Sequence, residues 1–285
     1  MPKHPKFLAI GHLSFDVNIV EGGSPSDQIP GGASAYAALV AQKHGISSGI
    51  LTSVGDDYPI EEILSGIDVR RSKSEHTSSF ANYYDGDNRN QVLIASGSKI
   101  LKSDIPGDWK QPSILYVSPL LHELPTDSVN WFEPKLSCLV PSGWLRRWGP
   151  DGVITHAGHL LSSQREKWDV IVVSEAEIET LPVEQLFSLS EILCITRGEF
   201  GARIWKAGDW VDIPAVKSEP VDPTGAGDIW ASAFAIAISE GRNIEDAGVY
   251  ASAASAVGIE FMGLLGCPSR REIESRLSSI YLSGA

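Results

Sequence analysis

Cysteine is scarce in this chain of 285 residues. The three present, Cys138, Cys194 and Cys267, lie far apart with no Cys-x-x-Cys pair, which argues against a zinc site and a disulfide framework. A reducing, cytoplasmic setting is expected. Positive charge is short as well: 23 Lys and Arg stand against 36 Asp and Glu, a net charge of −13. A nucleic-acid binder needs a basic face, and so does a protein held to anionic lipid by charge, so neither partner is expected. The acidic excess reads as soluble surface. Long apolar runs are missing too. The longest, Ile229 to Ile238, is about half of what spans a bilayer. The polar start, Met1 to Lys6, leads into no signal-like stretch. Two phosphate-binding signatures are also absent. No Gly-Lys-Ser/Thr marks a Walker loop, and no glycine run has the dinucleotide spacing with an acid ~20 residues on.

What the chain does hold is enough for a core, with 42% hydrophobic residues. At ~150 residues per domain the length allows one large domain or two small ones. Phe7 to Gly11 and Ser48 to Val54 read as buried strands, with the small apolar stretch Ala33 to His44 as a helix closed by Gly45. Ile114 to Val117, Leu136 to Val140, Val170 to Val173 and Ile192 to Thr196 are further short apolar runs separated by polar or helical connectors. That alternation predicts a parallel sheet with helices on both faces. Thr77 to Leu101 differs: alternating and aromatic residues surround Asp85-Gly86-Asp87-Asn88, a β-hairpin pattern. Gly201 to Asp212 reads as another hairpin, turning at Ala207-Gly208-Asp209, and Thr224 to Gly241 and Ile244 to Gly258 as two long helices. The expectation is a single α/β domain over residues 1–285, with a small β-sheet inserted from roughly 12–30 and 77–101.

The densest signal is Asp222-Pro223-Thr224-Gly225-Ala226-Gly227-Asp228, directly before the apolar helix. Small residues ahead of a helix leave backbone N–H groups unpaired, and the helix dipole adds positive charge there, which makes an anion site without Lys or Arg. A carboxylate beside a bound phosphate repels it, so Asp228 makes better sense as a base that takes a proton from an attacking hydroxyl. The plainer alternative is that Asp228 only caps its helix.

Residues Asp222 to Asp228 resemble the C-terminal signature of the PfkB, or ribokinase-like, sugar kinases. Other segments resemble that family in the same order: Gly11 with Asp16, Gly31-Gly32-Ala33, Gly55-Asp56-Asp57, Ser174-Glu175-Ala176-Glu177, and Thr196-Arg197-Gly198-Glu199-Phe200-Gly201. The resemblance spans nearly the whole chain and implies a three-layer α/β/α domain, a mostly parallel central sheet and a small β-sheet lid. It implies ATP and Mg²⁺ as cofactors, with Asp228 as general base and Gly225, Ala226 and Gly227 as an anion hole. Glu177 would hold Mg²⁺ through water. Ser174, Thr196, Gly198, Gly201, Gly225 and Gly227 would meet the nucleotide. Asp16, Gly31, Gly32, Tyr36, Arg89 and Arg146 would meet the acceptor. Asp222 and Thr224 fall beside the family's monovalent-cation site, which can hold K⁺. The lid would exclude water and offers an edge for pairing into a homodimer.

Three positions depart from the pattern. Tyr36 stands for an Asn that normally binds a sugar hydroxyl, Ser174 for the Asn of Asn-x-x-Glu, and Pro223 for a Thr, the last a change that should leave the anion hole untouched. Gly11 to Asn18, Ser142-Gly143-Trp144-Leu145-Arg146 with the following Asp151-Gly152-Val153, and Asp87-Asn88-Arg89 resemble myo-inositol kinases of the family, although Ser142 replaces a Gln. The leading expectation is therefore an ATP-dependent kinase of a small polyol, best a cyclitol such as myo-inositol. Ribokinase-, fructokinase- or nucleoside-kinase-type activity is the alternative. A catalytically weak sugar- or nucleotide-sensing protein is another, and an enzyme acting on a hydroxymethylpyrimidine-like vitamin precursor is a third. Several residues also have plainer readings: Arg89 and Arg146 as surface charges, Tyr36, Trp144 and Trp148 as core, His12 as a structural histidine.

Overall fold

The computed structural model describes residues 4–20, 22–85, 88–157, 166–181 and 183–283. The strands are β1 (Phe7–Ile10), β2 (Ser14–Val20), β3 (Ile29–Gly31), β4 (Ser48–Val54), β5 (Asp68–Lys73), β6 (Ser78–Asp85), β7 (Asn88–Ala95), β8 (Ile114–Val117), β9 (Leu136–Leu139), β10 (Arg146–Trp148), β11 (Ile154–His156), β12 (Trp168–Ser174), β13 (Ser190–Thr196), β14 (Ala202–Lys206) and β15 (Asp209–Ile213). The helices are α1 (Ala33–Lys43), α2 (Ile60–Ile63), α3 (Ser142–Leu145), α4 (Glu175–Ile178), α5 (Val183–Leu189), α6 (Ala226–Ser239), α7 (Ile244–Gly258) and α8 (Arg270–Ser283).

The nine-stranded sheet runs β15-β14-β13-β12-β9-β8-β1-β4-β5. From β13 to β5 every pairing is parallel, and the β14–β15 hairpin closes the other edge antiparallel. The buried central strands explain their apolar sequences: β1, β4, β8 and β9 are buried at every position, as strands covered on both faces must be. One face packs under α1, α6 and α7, with Ile273 of α8 at its margin. Among the described residues the other is covered by loops and by the short α3, α4 and α5, with Trp109, Trp144 and Trp168 filling the space.

A second sheet, β3-β2-β6-β7, stands off this layer, with β2 and β6 parallel at its centre. Its strands fall within Ser14 to Gly31 and Ser78 to Ala95, the last ending before Leu101; of the expected turn, Gly86 and Asp87 lie outside the described residues. The β10–β11 hairpin joins it through a bridge between Val92 and Val153. That hairpin, the edge strand β5 and the polar helix α8 are three elements the sequence pattern did not announce. Among the described residues no helix is long and apolar enough to cross a membrane.

Candidate active site

Helix α6 begins where two cavities meet. Gly225, its N-cap, has φ +78°, and a Cβ there would fall 2.4 Å from the Tyr36 ring. No other residue combines that backbone with that contact. Thr224, Gly225 and Asp228 line the first cavity, of about 150 Å³. Pro223, Ala226 and Gly227 line the second, of about 610 Å³.

Of the three N–H groups expected to point outward, that of Ala226 donates to the Pro223 carbonyl at 3.2 Å. The acceptor is the backbone carbonyl of residue 223, which any residue there would offer, so the turn does not depend on the proline ring. The N–H groups of Gly225 and Gly227 meet no acceptor among the described residues. Asp222 pins this loop from behind: its Oδ1 accepts the Thr224 N–H at 2.9 Å and its Oδ2 the Gly263 N–H at 2.9 Å.

Burial pushes the Asp228 carboxyl up to about 7, helped by the Glu177 charge, while a Tyr116 hydrogen bond and the Arg146 guanidinium pull it down. A carboxylate titrating near neutrality is poised as a proton acceptor in a way that an ordinary surface Asp is not. The capping reading of Asp228 finds no side-chain cap bond at this helix start.

The rest of the first cavity comes from the lid and from strand ends. Asp16 on β2 lines it, its Oδ1 accepting from Asn82 at 2.9 Å. Asn82, buried behind the lining, also donates to Asn18 and accepts from Gln91 at 2.9 Å, so it links the two lining residues Asp16 and Gln91. Gly32 and Tyr36 line it from the start of α1, and the Gly31 Cα sits close to Asp16 because a Cβ there would be 3.4 Å from Oδ2. Arg146 lines it too, its guanidinium 5.1 Å from the Phe80 ring and bonded to the Leu120 carbonyl at 3.2 Å. Arg89 lies on β7, but its side chain falls outside the described residues.

In the second cavity Thr196, Gly198 and Gly201 line one side and Trp230, Ala256 and Ile259 the other. Gly201 has φ +83° and its Cα abuts the Ile213 carbonyl, which a Cβ would meet at 2.1 Å. Ser174 lines neither cavity. It caps α4, and Glu177 returns the bond: Oε2 accepts from the Ser174 N–H at 2.8 Å and from its hydroxyl at 3.0 Å, while the Ser174 hydroxyl accepts the Glu177 N–H at 3.2 Å. This capping box holds the buried Glu177 carboxylate at the end of β12. Among the described residues no three His, Cys, Asp or Glu cluster into a metal cage. A single oriented carboxylate suits Mg²⁺, which keeps most of its water and is bound through one or two carboxylates plus substrate phosphates.

A profile of the pfkB family carbohydrate kinases matches residues 152–269. A ribokinase of Bacillus subtilis (strain 168) is 27% identical over 90% of this chain and 90% of its own. An inositol 3-kinase of Arabidopsis thaliana is 24% identical over 90% of this chain and 75% of its own. Among solved structures, a pyrophosphate-dependent kinase in the ribokinase family, complexed with a pyrophosphate analog and myo-inositol, has a TM-score of 0.79 at 22% identity, covering 94% of this chain and 99% of that one. Residues 152–269 carry the match to a PfkB-family carbohydrate kinase domain. The kinase has the ribokinase fold and is a phosphotransferase with an alcohol group as acceptor, of the sugar and nucleoside kinases of the ribokinase family.

Several residues of this kinase's site escaped the sequence reading. Tyr116, in the middle of β8, bonds Asp228. Asn82 and Gln91 sit inside an otherwise ordinary hairpin pattern. Glu123, buried, accepts the N–H groups of His12, Leu120 and Leu121 and so fixes the loop above the first cavity. Burial opposes its charge, but His12 and those N–H groups outweigh it and hold its carboxyl below the usual range. His12 itself is structural, its ring held by Ser78 and the Ser98 carbonyl. His156 lies opposite Arg146 in the β10–β11 pairing and feels both Glu177 and Arg146. None of these carries a local motif. Trp144 is core, fully buried with its indole N–H on the Leu124 carbonyl.

Proposed function

We propose that this kinase transfers the γ-phosphoryl group of ATP to one hydroxyl of a small polyol, with a cyclitol such as myo-inositol as the best candidate. The observation that carries the reading is the position of the α6 N-terminus: its anion hole opens between two cavities, and the carboxylate of Asp228 lines the smaller one. A cavity of about 150 Å³ matches one six-membered ring. A nucleoside, with two rings, asks for more room. Asp16 and Gln91, linked through Asn82, offer the mixed acceptors and donors that vicinal hydroxyls require, with Gly32, Tyr36 and Arg146 completing the wall and Gly31 beside Asp16. Arg89 belongs to the same reading.

The chemistry then follows from the residues. The acceptor O–H breaks, its proton passes to Asp228, the new O–P bond forms at the γ-phosphorus, and the bridging P–O bond breaks to release ADP. The Gly225 and Gly227 N–H groups and the α6 dipole stabilise the charge on the transferring oxygens. Thr196, Gly198 and Gly201 would line the nucleotide, and Glu177, oriented by Ser174, would hold a hydrated Mg²⁺. The chemistry such an ion would supply is positive charge against the transferring phosphates. Asp222 and Thr224 mark the place where a monovalent cation such as K⁺ would support the loop.

Pyrophosphate is the competing donor, since a structural neighbour depends on it. Two features favour a nucleotide here. The larger cavity, about 610 Å³, is walled by apolar side chains including Val216, Trp230 and Ile259, and among its described lining residues only Lys217 is a Lys or Arg. Pyrophosphate would leave the apolar wall bare and its own charge poorly matched. The deciding experiment incubates the protein with Mg-ATP, or with Mg-pyrophosphate, against inositols, ribose, fructose and nucleosides, and measures ADP or orthophosphate release. ADP release fastest with an inositol is expected. Turnover with pyrophosphate alone would overturn the donor assignment. No turnover on any acceptor, together with thermal stabilisation by sugar or nucleotide, would make the protein a sensor.

A further inference from the structure

We propose that Tyr116 is the positioning residue of the base, holding Asp228 by one oxygen from beneath so that the other is the proton acceptor. The inference rests on Asp228 serving as the base. β8 reads Ile114-Leu115-Tyr116-Val117 and is buried throughout. Packing alone does not ask for a hydroxyl there: the Tyr116 ring stacks on Phe7 with centroids 5.9 Å apart, a contact Phe would make equally well. The hydroxyl is instead directed from the sheet toward the first turn of α6, where it donates to Asp228 Oδ1 at 3.2 Å. A buried hydroxyl without a partner is costly, so a tyrosine at this site is retained by the carboxylate it meets.

Two consequences follow. Oδ1 is occupied from the sheet side, so Oδ2 is left to face the cavity and the acceptor hydroxyl. The hydrogen bond also favours the charged carboxylate. The groups around Asp228 act in opposite senses: Arg146 of β10 supports its charge, Glu177 of α4 opposes it, and burial opposes it most. Tyr36 of α1 and Cys267 stay protonated near it, both pushed up by burial. Tyr116 itself is held well above its ordinary range by burial and by the Asp228 charge, so it remains a donor at any working pH. It is therefore a hydrogen-bonded partner that, with Arg146, keeps the base ionised against its burial.

The test is Tyr116→Phe, read two ways. Carbon-13 titration of the Asp carboxyl groups, with the Asp228 signal assigned by its loss in Asp228→Asn, should show the Asp228 midpoint rising by ~1 pH unit in the variant. The acid limb of kcat should move the same way, so a deficit of ~10-fold near neutrality shrinks as pH rises, while the acceptor KM stays within ~3-fold. An unmoved midpoint with a deficit equal at all pH values, the signature of packing alone, would overturn the proposal. Because the variant could fold poorly, the Tyr116 Cζ signal of the unsubstituted protein gives a second measurement. It should report the Asp228 midpoint, and a flat response refutes the link. Both spectra are read without turnover, so failure of the kinase reading is seen separately in the ADP assay.

Discussion

The smaller cavity takes polar groups from Asp16 of β2, Gln91 of β7 and Arg146 of β10, with Asn82 of β6 hydrogen-bonded between the first two, whereas the larger one draws its lining from Thr196 to Ile259 alone. The first is polar and ring-sized. The second is wide and mainly apolar, made by the ends of β13, α6 and α7. A donor common to many kinases can be met by one compact stretch of chain. An acceptor must be distinguished hydroxyl by hydroxyl, and that takes side chains brought from far apart by an inserted sheet.

The comparison can be broken or sharpened by substitution. The largest effect should come where the cavities meet. Asp228→Asn keeps the shape and removes the base, and kcat should fall ~10²-fold or more while nucleotide binding, read by calorimetry, is largely kept. Near-normal turnover would remove Asp228 from its role. Next, Asn82→Leu breaks the amide chain to Asp16 and Gln91. The acceptor KM should rise ~10-fold with the ATP KM within ~2-fold; equal changes in both would mean the two cavities are not separate in function. Smallest, Trp230→Phe deletes the indole N–H bond to Ser252, 3.3 Å long, on the donor side. The ATP KM should shift by ~3-fold or less and the acceptor KM not at all, as steady-state kinetics with each substrate varied would show.

The same contrast governs what could be read from the residues. Thr196, Gly198, Gly201 and the Asp222 to Asp228 run sit in short local motifs whose glycines are demanded by backbone geometry: the left-handed φ at Gly225 and the crowded approach at Gly201 leave visible marks in sequence. The buried strands and α1, α6 and α7 were likewise legible, because burial on all sides writes continuous apolar runs. Tyr116 was not, since its role depends on a partner 112 positions away and its own neighbours look like any core strand. Asn82 and Gln91 are silent for the same reason: cross-strand pairing, not spacing, brings them together. Strand β5, Asp68 to Lys73, is an edge whose charged side chains hide the strand pattern, as edges that must not aggregate tend to. Helix α8 is amphipathic and polar on most of its surface, and Arg147 beside Arg146 masked the β10–β11 pairing.

The placement of the lid within the chain has a consequence for synthesis. All four lid strands lie between Ser14 and Ala95, and β1, β4 and β5 of the main sheet also come before Ala95 in the chain. A chain made from its N-terminus at ~5–20 residues per second has the whole lid outside the ribosome well before β8, the strand that must slot in beside β1, and many seconds before Asp228. At that stage the nascent chain carries the lid strands without Arg146 or Asp228, and its half-built sheet shows the open edge of β1 to its surroundings. That open strand, rather than the finished surface, is where a chaperone would be needed most.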